Sequence, residues 1–109
     1  LVDLDIQATG ATPGEGVGNS ESGGTIKQLL LLRTKIQGFH MNLGLGDSLL
    51  DYWNANGYPG HTYFDDIAIV DSDLRHSVGG GASYVAYLSS EGFTILGSSL
   101  TDSERRACA

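Results

Sequence analysis

The 109-residue chain has one cysteine, Cys108, two prolines, one tryptophan and only two lysines, Lys27 and Lys35. A single cysteine cannot close an internal disulfide, so no cross-linked framework supports this fold. Cys108 is either an inert thiol in a frayed tail or, in an oxidising compartment, one half of a bridge to another chain. No aliphatic run exceeds four residues, as at 29–32, far short of the ~20 that a membrane-spanning helix needs. Basic residues number six against thirteen acidic ones, a formal charge of −7. Such a surface repels phosphate backbones and anionic lipid, which argues against nucleic-acid and membrane partners. His40 and His61 have no zinc-ligand spacing. The stretch Gly14-Glu15-Gly16-Val17-Gly18 lacks the Lys-Ser/Thr of a phosphate loop, and no Asn-x-Ser/Thr glycosylation acceptor occurs.

What the chain does have is glycine, 16 residues, about twice the usual share of ~7%. With 40% hydrophobic residues it is not a disordered chain, and its length suits one domain over 1–109. A composition poor in lysine and rich in Gly, Ser and Asp implies an extracellular or virion-surface location. A start at Leu1 with no signal-peptide pattern implies a processed chain or a fragment.

Residues 1–8 alternate: Val2, Leu4, Ile6 and Ala8 are apolar and Asp3, Asp5 and Gln7 polar, as in a strand with one wet face. Residues 9–24, with six glycines and a proline, predict a flexible loop. Residues 25–37 fit two patterns. At period 3.6, Ile26, Leu29, Leu30 and Ile36 share a helical face; as a strand, the leucines of 29–32 would be buried on both sides. The alternation of Phe39, Met41, Leu43 and Leu45 with His40, Asn42, Gly44 and Gly46 favours strand through 35–45. Residues 46–61 read as a long loop. Residues 62–70, TYFDDIAIV, are the clearest strand, central and covered on both faces. Segments 83–89 and 93–97 predict a hairpin across Ser90-Glu91-Gly92. Thr101 to Glu104 matches a capping box, predicting a short C-terminal helix through Arg106. No internal repeat is evident. Five or six short strands joined by Gly-rich turns give an all-β chain, a small jelly-roll-like β-sandwich.

The stretch Tyr63-Phe64-Asp65-Asp66-Ile67-Ala68-Ile69-Val70-Asp71 resembles the closing strand of concanavalin A-like and laminin-G-like jelly-roll sandwiches. Residues 35–42 (KIQGFHMN), with Tyr52-Trp53-Asn54 and Gly57-Tyr58-Pro59, resemble the strand and loop before it in polysaccharide-lyase-like members. The likeness covers about 33–73. It implies glycan binding and a structural calcium ligated by acids at this position, here Asp65 and Asp66 with Asp71 and Asp73 nearby. Calcium takes six to eight oxygens, so loop carbonyls or the N-terminal strand would complete the shell. Otherwise one aspartate is solvated and the other accepts loop N–H bonds.

Tyr52, Trp53 and Tyr58 form a candidate platform for sugar faces, with Asn54 and His61 as hydroxyl partners; alternatively Trp53 closes the end of a small core. Gly46-Asp47-Ser48-Leu49 with Asp73-Leu74-Arg75-His76 resembles the first and last blocks of GDSL esterases, implying Ser48 as nucleophile, His76 as base and Asp73 as orienting acid. That three-layer fold needs a longer chain with helical crossovers between the blocks, whereas here only 28 positions separate Ser48 from His76 and no middle block supplies an oxyanion Gly and Asn. Two functions lead: a non-catalytic module binding a glycan or polysaccharide, and a structural subunit of a virion (capsid decoration or tail) or extracellular filament that contacts copies of itself and neighbouring subunits. A polysaccharide lyase or GDSL-type esterase fragment ranks below both.

Overall fold

The computed structural model describes residues 1–10, 14–18, 24–45, 62–79, 84–88, 90–103 and 106–108. The strands are β1 (Asp5–Gln7), β2 (Glu15–Gly18), β3 (Gly24–Leu32), β4 (Lys35–Gln37), β5 (Met41–Leu45), β6 (Thr62–Val70), β7 (Asp73–Ser77), β8 (Tyr84–Leu88), β9 (Gly92–Leu96), β10 (Ser99–Ser103) and β11 (Arg106–Cys108). They form three sheets in the orders β3-β6-β9 (sheet I), β1-β4-β7-β10 (sheet II) and β11-β8-β5-β2 (sheet III). Every pairing is parallel. The chain visits sheets II, III and I in turn, three times over, and ends on β10 and β11. The molecule is therefore a parallel β-solenoid in which each coil contributes one strand to each sheet.

The winding follows from a seven-residue unit. Residues 1–7 (LVDLDIQ), 31–37 (LLRTKIQ), 69–75 (IVDSDLR) and 95–101 (ILGSSLT) occupy equivalent places on successive coils. The third residue turns the chain from sheet I into sheet II with a left-handed backbone: φ is 55° at Asp3, 46° at Arg33, 47° at Asp71 and 61° at Gly97. Aspartate tolerates this region better than most side chains, and glycine adopts it freely. In the last three units the fourth residue supplies a hydroxyl. The Leu4 N–H donates to Thr34 Oγ1 (3.4 Å), the Thr34 N–H to Ser72 Oγ (3.1 Å) and the Ser72 N–H to Ser98 Oγ (3.0 Å). Backbone bonds run beside them, from the Arg33 N–H to Val70 O (3.0 Å) and the Asp71 N–H to Leu96 O (2.9 Å). The sixth residue points inward, so Ile6, Ile36, Leu74 and Leu100 stack in one column; Ile36 and Leu74 are fully buried.

Sheet I adds Leu31, Ile67 and Ile69 to this core, and sheet III adds Leu43, Leu45, Val85 and Ala86. At the corner between sheets II and III the buried Asn42 replaces the hydroxyl. Its Oδ1 accepts the Phe39 N–H (3.1 Å) and its Nδ2 donates to Arg75 O on the next coil (2.7 Å). Gly16 crosses so close to this corner that a Cβ there would lie 2.7 Å from Asn42 O. The connections out of sheets II and III and the lengths of the sheet I strands differ from coil to coil, whereas the corner between sheets I and II has two residues each time.

The all-β class expected from the sequence holds. The layering is different: three parallel sheets stand where two sandwich layers were expected. Residues 83–89 and 93–97 form no hairpin, since β8 and β9 belong to different sheets. Of the capping-box segment, Thr101, Asp102 and Ser103 belong to β10, with Asp102 at φ 58°, Glu104 lies outside the described residues, and Arg106 begins β11; among the described residues there is no helix. The loop expected at 9–24 contains β2, paired with β5. The strand expected over 35–45 is two strands, β4 and β5, turned at Gly38 (φ 83°). The strand alternative for 25–37 is the one realised over most of that stretch. A repeat does exist, at the unequal intervals seen in the pairings 5–35, 35–73 and 73–99.

Truncating the buried column, Leu74→Ala, is expected to cost about 2–5 kcal/mol in urea unfolding, whereas the exposed Thr101→Ala on the same sheet stays within about 0.5 kcal/mol. Ser72→Ala removes the acceptor of the Thr34 N–H in a buried corner and is expected to cost about 1–3 kcal/mol.

Candidate functional site

Sheet II is polar outside because it is apolar inside. The residues on either side of the inward column face outward and align from coil to coil. One row is Asp5, Lys35, Asp73 and Ser99; the next is Gln7, Gln37, Arg75 and Thr101. Coils in such a ladder lie about 4.8 Å apart, and successive outward residues on one strand about 6.6 Å apart. The left-handed corners flank these rows, Asp3, Arg33, Asp71 and Gly97 on one side and Gly38, His76 and Asp102 on the other. Together they make a flat, hydrogen-bonding surface on one side of the solenoid.

Ion pairs cross-link it. The Arg33 guanidinium grips Asp3 in a fork, Nε to Oδ1 at 2.6 Å and Nη2 to Oδ2 at 3.1 Å, joining two coils. This hydrogen bond, with the charge of Arg33, holds the Asp3 carboxyl below the usual aspartate range and raises the guanidinium of Arg33. On β7, Arg75 clasps Asp73 with Nε to Oδ1 at 3.0 Å and Nη2 to Oδ2, and the hydrogen bond to Asp73 raises the Arg75 guanidinium. His76 Nδ1 lies 3.0 Å from Asp102 Oδ2 on the following coil. Ser77 and Ser103 face each other through their hydroxyls at 2.9 Å. All the charged groups in these pairs are partly or largely solvated, so each contributes modestly to stability.

The expected site residues divide sharply. Tyr52, Trp53, Asn54, Tyr58 and His61 lie outside the described residues, between β5 and β6. Asp65 and Asp66 are on β6 in sheet I, Asp71 is at the corner, and Asp73 is on β7 in sheet II with Arg75 on both its oxygens. Among the described residues no group of three or more His, Cys, Asp or Glu side chains is placed to hold a metal. In the esterase-like pattern, Ser48 is outside the described residues and His76 pairs with Asp102 rather than with Asp73. The outward rows Gln7, Gln37, Arg75 and Thr101 escape a reading by short motifs. Their only signal is the seven-residue unit, which recurs at uneven spacing.

No family model, curated protein or solved structure matches the chain. The resemblance of 33–73 to concanavalin A-like sandwiches therefore gains no support from them. That stretch runs through β4 to β7, which pair in parallel in three different sheets, whereas such sandwiches pair their strands antiparallel. No helix among the described residues is long and apolar enough to cross a membrane.

Because Arg33 depresses the Asp3 titration, the pair stabilises the fold at pH values above the ordinary carboxylate value of ~3.9 and is lost as pH falls through the lowered native value. In an NMR titration the Asp3 carboxyl is expected to move at lower pH than in Arg33→Ala, where its midpoint returns to the ordinary range.

Proposed function

We propose that this chain is a non-catalytic glycan-binding module, working outside the cell or on a particle surface, and that its ligand lies along the outer face of sheet II. The alignment of Gln7, Gln37, Arg75 and Thr101 beside Asp5, Lys35, Asp73 and Ser99 carries this reading. A regular grid of amide, hydroxyl and charged groups suits an extended polymer that offers a hydroxyl set at every sugar. The rigid sheet fixes these groups before binding, which lowers the ordering cost of association.

Charge narrows the ligand. The face and its flanks hold five carboxylates, Asp3, Asp5, Asp71, Asp73 and Asp102, against Arg33, Lys35 and Arg75. Two of those three cations already grip carboxylates on the same face. Neutral glycans fit this balance better than uronic-acid polymers, which would meet net repulsion.

Affinity electrophoresis in gels cast with neutral β-glucan, xylan or mannan is expected to retard the chain, and gels cast with pectate are not. The double variant Gln37→Ala/Thr101→Ala, which alters only outward positions, is expected to weaken retardation about tenfold, the loss of about 1.4 kcal/mol from two hydrogen bonds. Retardation abolished by Trp53→Ala and untouched by the double variant would move the site to the segment of Tyr52, Trp53, Asn54, Tyr58 and His61. Absence of retardation in every gel would end the glycan reading.

A further inference from the structure

The outermost strands are β3, β1 and β2 at one end of the solenoid and β9, β10 and β11 at the other. At the β9 end, Phe93 and Ile95 occupy the same inward register as Ile67 and Ile69, yet they are 61% and 38% exposed where Ile67 and Ile69 are 1% and 0%. Leu96 is 61% exposed beside them. At the opposite end Leu1, Val2 and Leu4 are 41%, 46% and 40% exposed. The two ends thus present the same seven-residue unit, 95–101 at one and 1–7 at the other, each with an apolar rim.

We propose that the β9–β10 end takes up a second copy of this chain, whose residues 1–7 dock in parallel on residues 95–101. The contact repeats one the molecule already makes three times, between successive units of its own chain. It sets the Gly97 N–H opposite the Val2 carbonyl of the added copy and the Ser98 carbonyl opposite its Asp5 N–H. Inside the chain the equivalent bonds are the Asp71 N–H to Leu96 O and the Ser99 N–H to Ser72 O, both 2.9 Å. Charge selects this polarity. Outward Ser99 and Thr101 meet Asp5 and Gln7, hydroxyls against a carboxylate and an amide. Docking 1–7 against its own copy would instead set Asp3 and Asp5 against a second Asp3 and Asp5. Leu4 brings no hydroxyl to this seam, so it lacks the corner bond that Thr34, Ser72 and Ser98 provide inside the chain; the association is weaker than an internal seam and reversible. A head-to-tail contact of this kind leaves the far end free and grows without closing. The proposal stands independently of the glycan reading and gives physical form to the structural-subunit expectation.

Sedimentation velocity over a concentration series tests it with the 109-residue chain. The mean mass is expected to climb with concentration without a plateau at the dimer. Leu96→Asp/Ser99→Asp blocks one end and Val2→Asp/Leu4→Asp the other. All four positions are exposed, and circular dichroism checks that each variant keeps the parental fold. Each blocked variant alone is expected to stay monomeric, and an equimolar mixture to form dimers and nothing larger. A parent chain that remains monomeric throughout overturns the proposal. So does a mixture of the two folded variants that associates no more than either alone.

Discussion

The structure depends on the corner between sheets I and II, where a left-handed residue followed, inside the stack, by a hydroxyl-bearing one turns the chain from one sheet into the next within two positions. Backbone N–H groups there cannot pair within their own coil. They reach the next one, through Ser72 and Ser98 hydroxyls and through the carbonyls of Val70 and Leu96. These bonds fix which residue of one coil sits on which residue of the next. The sequence spacing between coils varies widely, yet the pairing at this corner does not slip.

Everything outward and inward follows from that register. Because Ile36 sits on Leu74 and both are buried, the residues beside them must face water. Rows of like position then become rows of like chemistry. The bidentate grip of Arg33 on Asp3 and the His76–Asp102 contact both link neighbouring coils at the flanks of the same face. They are products of the stacking, since their partners are 30 and 26 positions apart in the chain. Arg33 also occupies a left-handed position that its side chain does not favour, and its fork to Asp3 fixes it there.

Alternation made the strands legible. At 1–8 the two-residue period is in the sequence, at 62–70 the run of apolar and β-branched residues is, and both regions carry strand. Partner and direction are not written locally, because a parallel ladder and an antiparallel one show the same alternation. Ser90-Glu91-Gly92 carries hairpin chemistry, yet it joins sheets III and I. Thr101 to Glu104 matches a helix cap, while Asp102 makes a left-handed kink within β10. Residues 25–37 were ambiguous for a physical reason: Leu30 and Leu32 on the outer face of sheet I are apolar as well, which erases the strand period. The seven-residue unit was hidden because its copies share kinds of residue rather than identities, as with Asp3, Arg33, Asp71 and Gly97. The aspartates 65, 66, 71 and 73 look adjacent in sequence, but the corner distributes them between two sheets.

The corner between sheets III and I has a consequence of its own. Between β5 and β6 the chain accommodates sixteen further residues, 46–61, while Leu43 still pairs with Ala86 and Leu31 with Ile69. Each coil answers only to its neighbours above and below, so a change of length at that corner is not transmitted to the ladder. The solenoid therefore separates what it is built from and what it displays: the corner between sheets I and II keeps two residues on every coil, while the connections out of sheets II and III differ in length from coil to coil without retuning the ladder.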